Sequence, residues 1–326
     1  MELTHISTAR FYRNEYFFEI VFEWEEAYAK ALNVPFFKEK SIINKKWARV
    51  IPGLLYFATP HQPTFAFELN ALTKFRPYNN KNVIPNIIDF FLPESQIEQM
   101  LNAYKKNPVV LLSSKEAFDY LQQKKDEYHV NINLQHLGLS LSDKYRLTPD
   151  KKFEKKYDLV SMGRTNPVLL SFLKQYAAAH PDFTYVICHN ENGKYIYYMN
   201  EETCIGSLDT RADFFNMMRA GRIGLYATPG IDGGEKRTNG FSQVTPRLLE
   251  YLASGCHVIA RYKKNSDTDF YEMDDMCPSV NSYDEFEKQI DFALTHEVDM
   301  NKSCKYLEKH YTSTRAKQLI EILKGL

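Results

Sequence analysis

The chain has 326 residues, of which 41 are Lys or Arg and 41 are Asp or Glu, so its formal net charge is zero. This length allows two domains of about 150 residues each. A chain without excess positive charge gives no electrostatic reason to expect a nucleic-acid partner.

The five cysteines are scattered, and no two form a Cys-x-x-Cys pair. This pattern predicts neither a disulfide framework nor a zinc site, and reduced thiols fit a cytoplasmic protein. The N-terminus, Met-Glu-Leu-Thr-His-Ile, lacks the basic and then apolar arrangement of a signal peptide. No segment approaches the ~18–20 consecutive apolar residues that a membrane-spanning helix needs.

The first half of the chain alternates predicted strands and helices. A helix is expected over 16–32, where apolar residues recur at helical spacing between glutamates. Helices are also predicted over 93–105 and, capped by Ser113 or Ser114, as far as residue 120. Predicted strands are 54–58, 64–67, 82–89, 108–112 and 130–139. This alternation predicts a parallel sheet covered by helices.

Charge density rises between the two halves. Residues 141–156 carry nine charged side chains and few large apolar ones, which predicts an interdomain linker. The domain boundary is placed between residues 145 and 146, giving domains 1–145 and 146–326. A solvated loop within one large domain is the alternative.

The second half repeats the alternation of strands and helices. Predicted strands are 157–162, 183–187, 223–227 and 257–260. Predicted helices are 166–179, with Pro167 at its start, 211–220, 283–295 and 305–323. A second α/β domain with its own parallel sheet is therefore expected.

The segment 245–260 predicts a short helix, a glycine stop and a buried strand. Thr245 is a good N-cap, and Pro246 suits the first helical position, where no amide donor is needed. Leucines 248, 249 and 252 form an apolar face, and Gly255 can take the left-handed conformation that ends a helix.

Arg247 and Glu250 lie three residues apart on one side of this helix, off the leucine face. A basic and an acidic side chain near a helix N-terminus suit a nucleotide, the first for phosphate and the second for ribose hydroxyls. An ordinary ion pair within the helix is the alternative.

In an open parallel sheet, ligands bind beyond the carboxyl ends of the strands, and two loops of the second half lie there. In loop 163–166, Gly163 allows close backbone approach and Arg164 supplies a fixed fork for phosphate. Loop 228–244 is long and rich in glycine, and its amides can face phosphate beside Lys236 and Arg237. A solvent-facing turn and a mobile surface loop are the respective alternatives.

The predicted substrate-binding residues are Gly163, Arg164, Lys236, Arg237, Asn239, Gly240, Phe241, Ser242, Gln243, Thr245, Arg247 and Glu250. No metal ligand is predicted. Asp267 and Asp269 spell Asp-x-Asp, a metal-diphosphate motif, but they are interpreted as part of a polar surface turn.

The segment 246–259 resembles the donor-site helix of GT-B glycosyltransferases, especially group-1-like bacterial enzymes with an Arg-x-x-Glu-x-x-Ala-x-Gly-x-x-Val-Ile signature. The resemblance is good over 157–290, and weaker but in the same order over 80–145. It implies an α/β fold with two Rossmann-like domains facing across a cleft, the last helix, 315–323, returning to the first domain. It also implies that Arg164 meets the diphosphate and that Glu250 contacts the ribose.

The resemblance further implies a metal-independent glycosyltransferase without a cofactor, whose co-substrate is a nucleotide-diphosphate sugar. The implied acceptor is a saccharide or a lipid-linked saccharide, in bacterial surface polysaccharide synthesis. Many retaining members carry two glutamates that flank seven residues, but the first position here is Ser242, which leaves the sugar and the stereochemistry open. A nucleotide-sugar epimerase and a non-catalytic partner protein are the alternatives.

The first domain is expected to supply the acceptor site and, for an inverting reaction, a general base. Candidate bases are His5, His61, Glu68, Asp89 and His136, each with a structural role as the alternative. His61, in a loop bounded by prolines, is the predicted catalytic residue. Basic residues around Trp47 (Lys38, Lys40, Lys45, Lys46 and Arg49) suggest contact with an anionic membrane surface, or a solvated amphipathic segment.

Overall fold

The computed structural model describes residues 1–11, 13, 18–39, 59–69, 80–233 and 236–326. The predicted strand 54–58 and all of the basic cluster except Lys38 lie outside these residues, as does the side chain of Lys236. The chain divides into two compact units. Unit 1 comprises Met1–Asp143, Thr238–Phe241 and His310–Leu326, and unit 2 comprises Lys144–Arg237 and Ser242–Lys309.

Among the residues that the structure describes, unit 1 contains a six-stranded sheet with the order β2-β1-β3-β4-β5-β6, in which each pair of neighbouring strands is parallel. Its strands are β1 His5–Thr8, β2 Phe36–Lys38, β3 Thr64–Glu68, β4 Val83–Ile87, β5 Val110–Leu112 and β6 Leu134–His136. Its first three helices are α1 Glu19–Leu32, α2 Ile97–Tyr104 and α3 Lys115–Glu127.

The predicted alternation of strands and helices in unit 1 is confirmed from β4 to β6. Ser114 caps α3 by accepting a hydrogen bond from the Ala117 amide at 3.1 Å. The helix continues seven residues beyond its predicted end at 120, since Leu121 packs into a core formed with Val110 and Leu134.

The single helix predicted over 305–323 is wrong, because the chain forms two helices, α10 Met300–Glu308 and α11 Thr312–Lys324. The break lies where backbone groups pair with Leu141. The Leu141 amide donates to the His310 carbonyl, and the Thr312 amide donates to the Leu141 carbonyl, each at 2.9 Å. Helix α11 then packs against α1 within unit 1, with Leu319 buried.

Unit 2 is built on a second six-stranded sheet with the order β10-β9-β8-β7-β11-β12. Its strands are β7 Tyr157–Val160, β8 Tyr185–Glu191, β9 Lys194–Met199, β10 Thr203–Ser207, β11 Gly221–Ala227 and β12 His257–Arg261. Its helices, besides α10, are α4 Pro167–Ala179, α5 Arg211–Ala220, α6 Arg247–Ala253, α7 Ser266–Phe270, α8 Met273–Met276 and α9 Tyr283–Thr295.

The antiparallel part of this sheet was not predicted. Strands β8, β9 and β10 form two hairpins, while β7, β8, β11 and β12 pair in parallel. The sequence feature that indicates the first hairpin is the dipeptide Asn192-Gly193, which is typical of hairpin turns. Both residues have positive φ in the structure. The strand predicted over 183–187 therefore continues to Glu191 before the chain reverses.

The bounds predicted for α5 and α9 are confirmed, and Gly255 ends α6 with φ +63°, as predicted. Among the helices that the structure describes, none is both long enough and apolar enough to span a membrane.

Candidate functional site

A pocket lies where the connections of the unit 2 sheet change direction. From β7 the chain continues to β8 on one side, and β11 later pairs with β7 on the other side. Such a switch point leaves a crevice at the carboxyl ends of the strands, where ligands bind. The pocket is small, and part of it is open to solvent. Its lining residues are Ser161, Arg164, Thr165, Asn166, Leu169, Leu225, Tyr226, Ala227, Thr245 and Arg247.

The guanidinium group of Arg247 packs directly on the backbone of Gly163. Gly163 has φ +69°, and a β-carbon at this position would lie 2.9 Å from Nη2 and 3.0 Å from Nη1 of Arg247. Glycine is thus required both for the conformation and for the close approach. The Nε of Arg247 is buried without a hydrogen-bond partner, and no carboxylate among the described residues pairs with this arginine. A cation placed in this way is well suited to an anionic ligand.

Glu250 does not pair with Arg247, so the alternative of an ion pair within α6 is wrong. Its Oε1 accepts a hydrogen bond from Nη2 of Arg211, at the start of α5, over 2.5 Å. The two side chains are only 4% and 11% exposed, respectively. Arg211 was missed by the sequence analysis because 39 residues separate the partners and no local spacing connects them.

The hairpin strands hold the other side of the Gly163 loop. The thiol of Cys188, on β8, donates to the Gly163 carbonyl at 2.9 Å. Burial raises the pKa of this thiol to about 11, so it keeps its proton and remains a donor at neutral pH. Tyr197, on β9, is buried, and burial raises its pKa to about 12. All five cysteines lie within the described residues and are free.

Asp232 joins three segments at the edge of the pocket. Arg261, at the end of β12, donates to its Oδ2 and Oδ1 at 2.6 and 2.8 Å. Asn166 donates its Nδ2 to Oδ2 at 2.9 Å, while its own Oδ1 caps α4 by accepting from the Val168 and Leu169 amides. Asp232 therefore fixes both the start of loop 228–244 and the capping residue that lines the pocket.

The end of loop 228–244 is fixed by buried polar groups. Ser242 shares a hydrogen bond with the Thr228 hydroxyl at 2.6 Å, and its carbonyl accepts from Asn265 Nδ2 at 3.1 Å. Asp267 Oδ2 accepts from the Val244 amide at 2.9 Å and is fully buried. The interpretation of 267–269 as a polar surface turn is therefore wrong, since Asp267 lies on helix α7 and anchors this loop.

Thr245 is not the N-cap of the signature helix. Helix α6 begins at Arg247, Pro246 holds the capping position, and no side chain caps the helix end. Pro246 already has helical dihedral angles, φ −55° and ψ −24°. The Thr245 amide instead donates to the Tyr226 hydroxyl at 2.9 Å, which places Thr245 in the pocket lining.

The remaining predicted binding residues divide between the two units. Arg164 lines the pocket, Arg237 is exposed and Gln243 is buried in unit 2. Asn239, Gly240 and Phe241 belong to unit 1 and are not among the residues that line the pocket.

The loop residues in unit 1 have partners of their own. Asn239 donates to the Phe91 carbonyl, and the Phe241 ring packs edge-on against Phe90 and Tyr120, with centroids 5.1 and 5.3 Å apart. These contacts give Asn239 and Phe241 structural partners in unit 1, and their role in substrate binding stays a prediction.

The candidate bases of unit 1 lie at two different edges of its sheet. Glu68 and His136 are the last residues of β3 and β6, and Asp89 follows β4, so these three lie near the carboxyl edge. His5 begins β1, and His61 precedes β3, so both lie at the amino edge, opposite the usual ligand edge.

Of the candidate bases at the carboxyl edge, Glu68 is buried, whereas His136 and Asp89 are half-buried. Glu68 accepts a hydrogen bond from the Tyr104 hydroxyl. Burial lowers the pKa of His136 to about 4, so this ring is neutral at physiological pH. The catalytic role of His61 stays a prediction. Within the described residues, no three His, Cys, Asp or Glu side chains form a group that could hold a metal ion.

We expect the Asp232→Asn variant to be less stable than the wild type by about 1–2 kcal/mol at neutral pH, because it loses a charged partner of Arg261. The Arg261 guanidinium holds the pKa of the Asp232 carboxyl below its usual range. This stabilisation is therefore fully present above the ordinary carboxyl pKa of roughly 4 and is lost as the pH falls through the lowered value.

Thermal melts from pH 7 to pH 3 test this expectation. The difference in Tm between wild type and variant should stay constant down to about pH 5 and shrink at lower pH. The matched control is Asp269→Asn, whose carboxyl is 58% exposed and 3.6 Å from Lys264. A difference that persists unchanged at pH 3, or an equal effect of the control, would contradict the role given to Asp232.

Comparisons with known proteins match different parts of the chain. Residues 170–321 match the model of a family described as glycosyl transferase-like. A structure of the trehalose-6-phosphate protein from E. coli bound with UDP-2-fluoro glucose is 11% identical, with a TM-score of 0.56, and the match covers 86% of this chain and 76% of that one. The UDP-forming α,α-trehalose-phosphate synthase from Burkholderia xenovorans is 10% identical, with a TM-score of 0.54 and coverage of 85% and 77%.

The pneumococcal O-GlcNAc transferase GtfA, in complex with UDP and GlcNAc, is 10% identical, with a TM-score of 0.51. The match covers 81% of this chain but only 57% of GtfA, so this chain spans little more than half of that protein. At such identities the likeness shows the fold alone. No curated protein matches this chain.

Proposed function

We propose that this chain, which has a GT-B fold and matches a glycosyl transferase-like family model over residues 170–321, transfers a sugar from a nucleotide-diphosphate donor to a hydroxyl group. The observation that carries the proposal is the position of Arg164 and Arg247 in the switch-point pocket, with Arg247 on the Gly163 backbone. In the reaction, the acceptor oxygen bonds to the anomeric carbon and the bond from that carbon to the diphosphate oxygen breaks. The acceptor proton passes to a side-chain base in an inverting reaction, or to the leaving diphosphate in a retaining one.

Negative charge grows on the diphosphate as it leaves. Arg247 and Arg164 line the pocket that would receive it, and guanidinium forks match phosphate oxygens in pairs. Such preorganised cations stabilise the transition state, because they need no rearrangement as the charge develops. Lys236 and Arg237 are assigned supporting roles on the long loop. With these cations the proposed reaction is metal-independent.

We assign Glu250 to the ribose hydroxyls of the donor. Glu250 lies about one turn after Arg247 on α6 and is buried. Its Oε1 is held by Arg211, which lies on α5. Hydroxyl groups donate strongly to a charged carboxylate in a site that excludes water. Phosphate and ribose recognition would thus come from successive turns of one helix.

The proposed donor is a UDP-hexose or a related sugar nucleotide. Two of the similar structures were determined with UDP or with UDP-2-fluoro glucose, which makes UDP the first nucleotide to test. The proposed acceptor is a saccharide or a lipid-linked saccharide in bacterial surface polysaccharide synthesis, in keeping with the resemblance of segment 246–259. A cytoplasmic protein that touches the inner face of the membrane would suit a lipid-linked acceptor.

Calorimetric titration tests the donor site directly. We expect micromolar binding of UDP or of one other nucleoside diphosphate, with the same affinity in EDTA and in magnesium. The corresponding nucleoside monophosphate should bind more weakly, because it lacks the second phosphate. Binding of no nucleotide, or binding that requires magnesium, would contradict the proposal.

One observation favours a second candidate, a non-catalytic protein that binds nucleotide sugars. Ser242 stands where many retaining members carry a glutamate, and its hydroxyl is engaged with Thr228 at 2.6 Å. The site therefore lacks the carboxylate that is usually aimed at the donor sugar. Donor binding without hydrolysis or transfer, across a panel of saccharide acceptors, would support this candidate over the transferase.

A further inference from the structure

We propose that Arg211 is a positioning residue, which orients the Glu250 carboxylate toward the donor ribose and keeps it away from Arg247. This inference rests on the proposed function, because it assigns Glu250 to the ribose. It adds a residue that lies outside the signature segment and 36 residues before Arg247 in the chain.

The backbone of Arg211 is fixed by a capping box. Thr210 Oγ1 accepts from the Asp213 amide at 3.1 Å, and the Thr210 amide donates to Asp213 Oδ2 at 3.2 Å. Arg211 is the first helical residue after this cap. Reciprocal capping of this kind satisfies two amides at the helix end and so holds the first turn in place.

Two aromatic rings define the position of the guanidinium group. The Cζ of Arg211 lies 5.5 Å from the centroid of Phe214 and 5.1 Å from that of Phe215. An arginine over aromatic faces gains cation–π attraction and loses freedom to turn. The side chain of Arg211 is 11% exposed, so bulk water screens its interaction with Glu250 only weakly.

Phe214 lies near both arginines of the site. Its centroid is 5.5 Å from Cζ of Arg211 and 5.8 Å from Cζ of Arg247. Only Arg211 pairs with Glu250 among the described residues, while Arg247 contacts the Gly163 backbone. The two arginines thus have separate tasks, one toward the carboxylate and one toward the proposed diphosphate.

The spacing of Arg247 and Glu250 on α6 explains why a second arginine is needed to keep the carboxylate contact apart from the phosphate contact. Residues three apart on a helix are neighbours, so a Glu250 without its partner would attract Arg247. A buried carboxylate is costly unless it is paired, which adds to this attraction. In the native arrangement Arg211 engages Oε1, and we assign Oε2 to accept from the ribose hydroxyls.

The first readout is discrimination between UDP and its 2′-deoxy and 3′-deoxy analogues, measured as Kd ratios by calorimetry. Wild type should favour UDP over at least one analogue by about 10-fold, the value of one charge-assisted hydrogen bond. The ratio should fall to about 1–2 in Glu250→Gln and in Arg211→Met. Arg211→Lys keeps the positive charge but lacks the planar guanidinium group. Its Kd ratio should therefore lie between those of the wild type and Arg211→Met.

The second readout is binding of inorganic pyrophosphate, which has no ribose. Arg211→Met should weaken it about 10-fold, because Glu250 then captures Arg247. The double variant Arg211→Met with Glu250→Gln should restore it to the wild-type value, since Gln carries no charge. A purely structural role for Arg211 predicts no such rescue, and thermal melts of each variant check the fold.

The outcomes distinguish failure of the proposed function from failure of the role given to Arg211. Wild-type protein that binds no nucleoside diphosphate and no pyrophosphate contradicts the proposed function. The role of Arg211 alone is overturned if the wild type binds UDP and both Arg211→Lys and a folded Arg211→Met keep the full ribose ratio. If Arg211→Met does not fold, two other results test the role of Arg211. A partly reduced ribose ratio in Arg211→Lys and a wild-type pyrophosphate affinity in the double variant support it, and a full ribose ratio in Arg211→Lys overturns it.

Discussion

Replacement of Arg247 by Met is expected to weaken UDP binding by about 100-fold, equivalent to about 3 kcal/mol, while the melting temperature changes little. Arg247 lines the pocket, its guanidinium lies on the Gly163 backbone, and its Nε has no hydrogen-bond partner. No carboxylate of the described residues loses an ion-pair partner in this variant, so the folded state gives up little. The bound diphosphate, in contrast, loses a charge-assisted fork.

The measurement is calorimetric titration of UDP into wild type and Arg247→Met, with melting curves for both. The matched control is Arg222→Met. Arg222 lies near the amino end of β11, 3.9 Å from Glu297, and does not line the pocket. Equal losses of UDP affinity in the two variants would show that the arginines act only through general electrostatic attraction. An unchanged Kd for UDP in Arg247→Met would show that the phosphates bind elsewhere.

Replacement of Gly224 by Ala is expected to destabilise unit 2 by about 2–3 kcal/mol, since it overpacks a core that is already filled. A β-carbon on Gly224 would lie 2.4 Å from Cδ1 and 2.7 Å from Cγ of Tyr251. Tyr251 is fully buried, so its ring has no solvent-filled space to move into. For a domain of this size, the corresponding fall in Tm is roughly 5–10 °C.

The same variant should also impair donor binding. The Tyr251 hydroxyl accepts from the Met162 amide at 2.8 Å and donates to the Val160 carbonyl at 3.3 Å. Met162 directly precedes Gly163, so a displaced Tyr251 ring shifts the loop that carries the proposed phosphate contact. Differential scanning calorimetry and UDP titration measure the two effects.

Gly325→Ala is the matched control, because its added β-carbon would meet only the Ile322 carbonyl oxygen, at 3.5 Å. This variant should melt like the wild type. If Gly224→Ala also melts like the wild type, the packing of Tyr251 against β11 is not as described.

Several features of the fold were predictable because their causes are local. The bounds of α5 and α9 follow from apolar periodicity and from polar residues that cap each helix. Asn166 before Pro167 starts α4, and Gly255 ends α6 with positive φ. The pocket was predictable in part for the same reason, since loops after parallel strands gather at one edge of a sheet.

The tertiary structure alone decided which polar groups meet. Glu250 has a basic residue three positions away, yet it pairs with Arg211, 39 residues earlier. Asp267, in a segment that its sequence predicts as a surface turn, is buried and accepts a hydrogen bond from the Val244 amide. Pairing with Leu141 likewise divides the last predicted helix into α10 and α11.

The sequence by itself determined the alternation of strands and helices, the helix ends and the loops that carry Gly163 and Arg247, because each depends on neighbours within a few residues. The partner of Glu250, the anchor of Val244 and the division of the last predicted helix depend on contacts between segments far apart in the chain. Local periodicity and capping carry no information about such contacts, because a buried polar group takes whichever partner the packed fold brings within hydrogen-bonding distance.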